Sequence, residues 1–192
     1  MKRRTMLNGA VATAAVAVAL LAGCSTNTGA SATPEQQKAA IEKDAASTLS
    51  TLYASVNGSQ ELASKARGIL VFPKVYAAGL GIGGEYGEGV LHVGGKTVDY
   101  YKTTSVSFGF QAGAQSKALI FMFMTQDALD KFRSGKGWTA GADASVALVK
   151  VGANGTIDTS SAGAAVNAFA LANGGLMVAA TIDGTKVSKM EL

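Results

Sequence analysis

Gly79-Leu-Gly-Ile-Gly-Gly-Glu-Tyr-Gly-Glu-Gly-Val90 is the stretch on which the fold turns, because two readings of it exclude each other. Gly79-x-Gly81-x-x-Gly84 fits the dinucleotide fingerprint G-x-G-x-x-G, and Asp99 lies near the spacing at which an acidic residue would meet a ribose. That fingerprint also needs a helix directly after its glycines. The next residues are Glu85-Tyr-Gly-Glu-Gly-Val-Leu-His92, whose two glycines would each cost a helix interior roughly 1 kcal/mol against alanine. The stretch therefore offers a phosphate no helix N-terminus. In a chain with 24 glycines the match is a coincidence of composition. Gly79, Gly81 and Gly83 alternate, as do Gly87 and Gly89, which reads as strand with one face stripped of side chains. Such a face predicts close approach by a neighbouring element or a strongly curved sheet, with a ligand lying on the bared backbone as the alternative.

The flanking sequence agrees with strand. Gly68-Ile-Leu-Val-Phe72 is a buried run stopped by Pro73, and Val90–Val93 and Thr97–Tyr101 flank a Gly94-Gly95 turn as a hairpin would. Val106–Phe110 alternates, and Ala118–Met124 is apolar throughout, as in a strand covered on both faces. Ser145–Val151 and Gly175–Ile182 complete the strands, with Asn154-Gly155 and Asp183-Gly184 as turns.

Two segments carry helical period instead. Over Thr33–Val56, Thr33 caps, Pro34 takes the first helical position and Gln36 completes a capping box. Ile41, Ala45, Leu49, Leu52, Tyr53 and Val56 form one apolar stripe, Lys38, Glu42, Lys43 and Asp44 lie opposite, and Asn57-Gly58 ends the run. Ser59 then caps a short helix containing Leu62 and Ala66. Asp127–Ser134 is a short inserted helix capped by Thr125 and stopped by Gly135, with Leu129 and Phe132 as core anchors. The fold class is α+β: a mostly antiparallel, curved β-sheet packed with a long N-terminal helix and a short inserted one.

The N-terminus speaks to location. Lys2, Arg3 and Arg4 precede 13 apolar-region residues, Ala10–Ala22, broken by Thr13 alone. That is a secretory signal, short of the ~20 residues that span a bilayer. It ends in Leu21-Ala-Gly-Cys24, which resembles a bacterial lipobox. The resemblance implies a signal peptide over 1–23, cleavage before Cys24, and lipid on its thiol and new amino group. Cys24 is the one cysteine, so the domain has no disulfide. Buried acyl chains contribute about 0.8 kcal/mol per CH₂, enough for two or three to anchor the chain on a membrane. With Ser25 after the cysteine, the sorting pattern of such lipoproteins implies the outer membrane in a host that has two.

Cleavage removes three of the 17 basic residues, leaving 14 against 13 acidic ones. The mature chain is near neutral, so its nominal basicity is no nucleic-acid signature. Residues 25–33, small and polar, form a tether with a reach of roughly 15–18 Å. Residues 34–192 suit one domain.

The chemistry-bearing residues are sparse. His92 is the one histidine and supports neither a metal site nor a triad. Glu85 and Glu88 read as solvated acids rather than a catalytic carboxylate pair, and Asp143 as a brace for its turn. No cofactor and no catalytic residue is expected. For lipid headgroups the candidate donors are Lys65, Arg67 and Lys74, bracketing the Ile69–Phe72 strand, with Lys117 as a fourth.

Four stretches resemble the motifs of the SYLF domain family, in family order. They are Lys65-Ala-Arg-Gly-Ile-Leu-Val-Phe-Pro-Lys74 with Ala78–Val90; Ser107-Phe-Gly-Phe-Gln-Ala-Gly-Ala-Gln-Ser116; Gly141-Ala-Asp-Ala-Ser-Val146; and Asn173-Gly-Gly-Leu-Met-Val178 leading to Asp183-Gly184. Together they cover roughly residues 60–188. Eukaryotic members bind phosphoinositides and other membrane lipids, and the yeast members bind actin as well. In some members an N-terminal amphipathic helix engages the membrane; here the matching helix, with its Ala-rich stripe, is expected to pack on the sheet. The resemblance implies an anchored envelope lipoprotein whose domain binds phospholipid headgroups without catalysis. The alternative is an envelope interaction protein that recruits a protein partner.

Overall fold

The computed structural model describes residues 32–135, 137–144, 146–151, 154–158, 162–172, 175–176, 182 and 184–192, without the side chains of 79–82, 107–114 and 175–176. The signal segment, Cys24, residues 24–31 of the tether, Ser145 and Asp183 lie outside the described residues. Thr33–Leu192 form one compact unit.

Helix α1 spans Pro34–Ser55 and starts as the capping box predicts. The Gln36 backbone N–H donates to Thr33 Oγ1 at 3.3 Å, and the Thr33 N–H donates to Gln36 Oε1 at 3.0 Å. Helix α2, Ser59–Lys65, differs from expectation at its start: Gly58, at φ +88°, is the cap, and Ser59 lies inside the first turn. Glycine takes the left-handed turn between the helices, which frees the buried Ser59 hydroxyl to donate to Val56 O at 2.6 Å. Helix α3, Gln126–Ser134, is capped by Thr125 as predicted.

The strands are far longer than their sequence punctuation suggests. β1 runs Gly68–Val93 and β2 runs Lys96–Phe123, joined at Gly94-Gly95 with both glycines at positive φ. Pro73 does not stop β1. It sits in a bulge where Pro73 and Lys74 together face Ala118, between the pairs Phe72↔Leu119 and Val75↔Lys117. A bulge is where a strand tolerates a residue without an N–H. A second irregularity sets Leu80 against residues 110–112, between Gly79↔Gly113 and Gly81↔Gly109. No helix comes after the glycines, so the dinucleotide reading is excluded.

The alternating glycines mark where this ribbon doubles back. A Cβ on Gly89 would meet the Val71 carbonyl oxygen and, at 2.5 Å, the ring of Phe72. One on Gly87 would lie 2.7 Å from Lys74 O. Eighteen residues of straight strand would separate Val71 from Gly89 by about 60 Å. Their contact means that β1 folds back upon itself, with glycine letting the two arms touch. Gly84, by contrast, has open space where a Cβ would be.

The remaining strands are β3 (Trp138–Thr139), β4 (Val146–Leu148), β5 (Val166–Ala172), β6 (Gly175–Leu176) and β7 (Lys186–Lys189). Among the described residues the sheet has seven strands in the order β3-β7-β2-β5-β4, with β1 on β2 and β6 on β5. The second edge of β2 takes β5 along Lys117–Phe123 and β7 along Tyr101–Thr104. All pairs are antiparallel except β4 with β5.

Strand alternation sorts the core into two clusters. Leu70, Phe72, Leu119, Phe121, Phe123, Ala168 and Ala170 face inward with Leu129, Phe132 and Trp138. Phe123 and Phe132 stack at 4.8 Å between centroids, and Phe121 meets Trp138 edge-on at 5.5 Å. Val71, Val90, Ile120, Met122, Phe169 and Leu171 face outward and are covered by Ile41, Ala45 and Leu52 of α1 and by Val56, which caps its end. The Ala-rich stripe of α1 thus packs on the sheet. No described helix is long and apolar enough to cross a membrane.

Candidate functional site

The structure gives the four basic candidates different surroundings, with Lys74 and Lys117 alone lining a common cleft. Lys65, at the end of α2, pairs with Glu61 at 2.6 Å, both side chains well exposed. Lys74, from the β1 bulge, pairs with Asp44 of α1 at 2.7 Å, also exposed, and this bond raises its pKa above the ordinary lysine value. Lys117, on β2, pairs with Glu85 at 2.9 Å, and their side chains are only 14% and 10% exposed. Ser105 Oγ donates to the same Glu85 at 2.9 Å. Arg67 is exposed and has no ion pair among the described residues.

These pairings rank the candidates. An exposed ion pair contributes about 0–1 kcal/mol, so Lys74 can exchange Asp44 for a phosphate at little cost. Separating the nearly buried Lys117 from Glu85 would strand a charge. Lys117 is thereby fixed inside the fold.

Among the described residues three open clefts border α1. The largest, about 570 Å³, lies between its second half (Ala46, Leu49, Tyr53), α2, and the Gly94-Gly95 turn, with Arg67 and His92 on its lining. The second, about 320 Å³, lies beside the first half of α1 at Gln37, Ile41 and Asp44, facing Lys74, Tyr76, Tyr86 and Glu88. The third, about 270 Å³, adjoins the second through Pro73, Lys74 and Tyr76 and reaches Lys117. Arg67 and Lys74 therefore serve different clefts, which sequence order alone does not reveal.

The second cleft carries a feature missed in the sequence. Tyr76 and Tyr86 are 57% and 45% exposed, and Val106, on the strand face of Tyr86, is 66% exposed. The start of α1 is tied to this patch: Gln37 Nε2 donates to Glu88 Oε2 at 2.8 Å and the Tyr86 hydroxyl donates to Glu88 Oε1 at 2.8 Å. Burial and Glu88 raise the Tyr86 pKa above its ordinary value, keeping the hydroxyl a donor. Strand parity was the available signal, since Tyr86 alternates with the inward Gly87 and Gly89.

The other polar residues act structurally. Glu85 and Glu88 lie three apart on a strand and so point to opposite faces, as their separate partners show. Asp143 Oδ2 accepts from the Thr139 N–H at 2.6 Å, bracing the turn as expected. Burial holds the half-buried His92 below the usual imidazole range, with the nearby Glu42 charge pulling the other way. Glu42 also accepts from the Tyr100 hydroxyl at 2.5 Å. Among the described residues no group of three or more His, Cys, Asp and Glu is placed to hold a metal.

Residues 104–191 match the family model described as "Ysc84: Las17-binding protein actin regulator". That match runs from the first arm of β2 through β7 and takes in the motifs at 107–116, 141–146 and 173–178, with the opening motif ahead of it. Over these 88 residues the chain is similar to the SYLF (Ysc84) family, a family of binding domains. No curated protein matches the chain.

Proposed function

We propose that the chain is a membrane-anchored envelope lipoprotein, acylated at Cys24, whose SYLF domain binds phospholipid headgroups without catalysis. In a host with two membranes the lipobox reading places it on the outer one. The observation that carries the lipid reading is the exposed set Lys74, Tyr76 and Tyr86 beside the first half of α1, with the exposed Val106 on the same strand face as Tyr86. Tyrosines with an apolar body and a wet hydroxyl suit the headgroup level of a bilayer, and a basic side chain there contributes about 1 kcal/mol toward anionic lipid. The tether enters at this same end, because Thr33 caps α1 and Gln37 is fixed to Glu88. A reach of roughly 15–18 Å keeps the patch at high effective concentration on the anchoring surface.

The domain starting at Ser25, without the acylated Cys24, should sediment with phosphatidylglycerol vesicles. Changing Lys74 to Glu together with Tyr76 and Tyr86 to Ser should weaken that binding at least tenfold, while Lys65→Glu leaves it nearly unchanged. Undiminished sedimentation of the triple variant would sink the assignment of this face.

The family description names a protein ligand, which favours one second reading: the same face recruits an envelope protein. Capture of a partner that depends on Tyr76 and Tyr86 and ignores added vesicles would select it.

A further inference from the structure

We propose that the cleft between the second half of α1 and the Gly94-Gly95 turn takes one single-chain amphiphile with a carboxylate head, in the manner of a long-chain fatty acid. This goes beyond docking on a bilayer: the occupant is one molecule, in a cleft that shares no lining residue with the one beside Tyr76 and Tyr86.

Its volume of about 570 Å³ lies within the ~300–1,000 Å³ typical of small-ligand sites. One wall is apolar, with Leu49, Tyr53 and Ile69. The polar lining includes Arg67 and His92. Arg67 is the one cationic side chain on that lining, and it differs from Lys65, Lys74 and Lys117 in having no carboxylate of its own among the described residues. A guanidinium presents a planar fork of donors that a carboxylate fills with two parallel hydrogen bonds. His92 is half-buried and its imidazole can add a further hydrogen bond.

The charge count selects the head. One guanidinium balances one negative charge. Glu42 is close enough to bear electrostatically on His92, so a second negative charge on the ligand would be opposed. A monoanionic carboxylate therefore fits better than a dianionic phosphate. The mouth is open on the turn side, since nothing lies within 4 Å of where a Cβ on Gly94 or Gly95 would be.

The test titrates the unacylated chain from Ser25 calorimetrically with sodium laurate below its micelle concentration. Saturable binding of one laurate per chain is expected, at least tenfold weaker in Arg67→Gln and unchanged in Lys65→Gln. Dodecyltrimethylammonium should give no saturable binding, and dodecyl phosphate at pH 8 should bind several-fold more weakly than laurate. The His92 ring resonances should move on addition of laurate. Arg67 is exposed, so its variant should melt with the parent. Absent laurate binding, equal affinity in Arg67→Gln, equal uptake of the cationic detergent, or an unmoved His92 would each overturn the site. Phosphate binding as tight as carboxylate would overturn the head assignment. Vesicle sedimentation of Arg67→Gln should be unchanged, so the failure of one proposal is visible apart from the other.

Discussion

The inside of the folded β1–β2 ribbon and its outer face beneath α1 are fastened by different means. Inside, contact is backbone on backbone at Gly87 and Gly89, and strand parity puts the nearly buried Lys117–Glu85 pair on the same inward surface. Outside, an apolar seam of Ile41, Ala45, Leu52 and Val56 is bordered by side-chain pairs: Gln37 with Glu88, Tyr100 with Glu42, and Lys74 with Asp44. The inner contacts have no room to adjust. The outer pairs can trade partners while the apolar seam holds, and a binding surface requires that freedom.

The contrast breaks most visibly at Gly89. Gly89→Val drives a branched side chain into the Val71 carbonyl and the Phe72 ring, so a loss of about 4–5 kcal/mol is expected, at the top of the range for single changes. Gly84→Val enters open space and should stay within about 0.5 kcal/mol. Equal denaturation midpoints for the two variants would show that the arms do not touch at Gly89.

The ion pair sharpens it next. Lys117→Met leaves Glu85 nearly buried without its cation and should cost about 3 kcal/mol in urea denaturation. Adding Glu85→Leu removes the stranded charge, and most of the loss should return. A double variant as unstable as the single would mean that packing, not charge, is what Lys117 supplies.

The outer face gives the smallest effect. Tyr100→Phe removes the hydrogen bond to Glu42 and should cost about 1–2 kcal/mol. Burial first, then Glu42, pushes the Tyr100 pKa up to about 12, while an unfolded tyrosine titrates near 10. The stability tied to this raised pKa is fully present below pH 10 and is lost as pH rises through 12. Tyr101 is also pushed up to about 12, chiefly by burial. Tyr53 and Tyr86 are raised as well, so in Tyr100→Phe the alkaline loss should shrink and not vanish. A denaturation series from pH 9 to 12 decides it.

Local rules made parts of this fold legible. The Thr33–Gln36 box, the Thr125 cap and the Gly94-Gly95 turn each depend on residues within a few positions of one another. Ribbon continuity was illegible because Pro73 reads as a strand end unless the bulge opposite Ala118 is known. β5 escaped because Val-Asn-Ala-Phe-Ala-Leu-Ala is buried on both faces and so shows no alternation. At the candidate sites all four basic residues were visible, but their fates were not. The carboxylates that occupy Lys74 and Lys117 lie 30 and 32 residues away, and folding brings them in.

The two-residue connection between β1 and β2 carries a consequence for how the chain finds its fold. Val93 and Lys96 can pair as soon as the turn closes, and each later pair, out to Gly68 and Phe123, extends a ladder already begun. Hairpins of this kind form in roughly 1–10 μs, whereas docking β5 must bring Ala172 to Lys117 across 55 residues. The expected order is a ribbon zipped from its turn, bent at its glycines, and only then used as the template on which the later strands settle. In a pulse-labelling refolding experiment the amides around Val90–Tyr101 should be protected before those of Val166–Ala172.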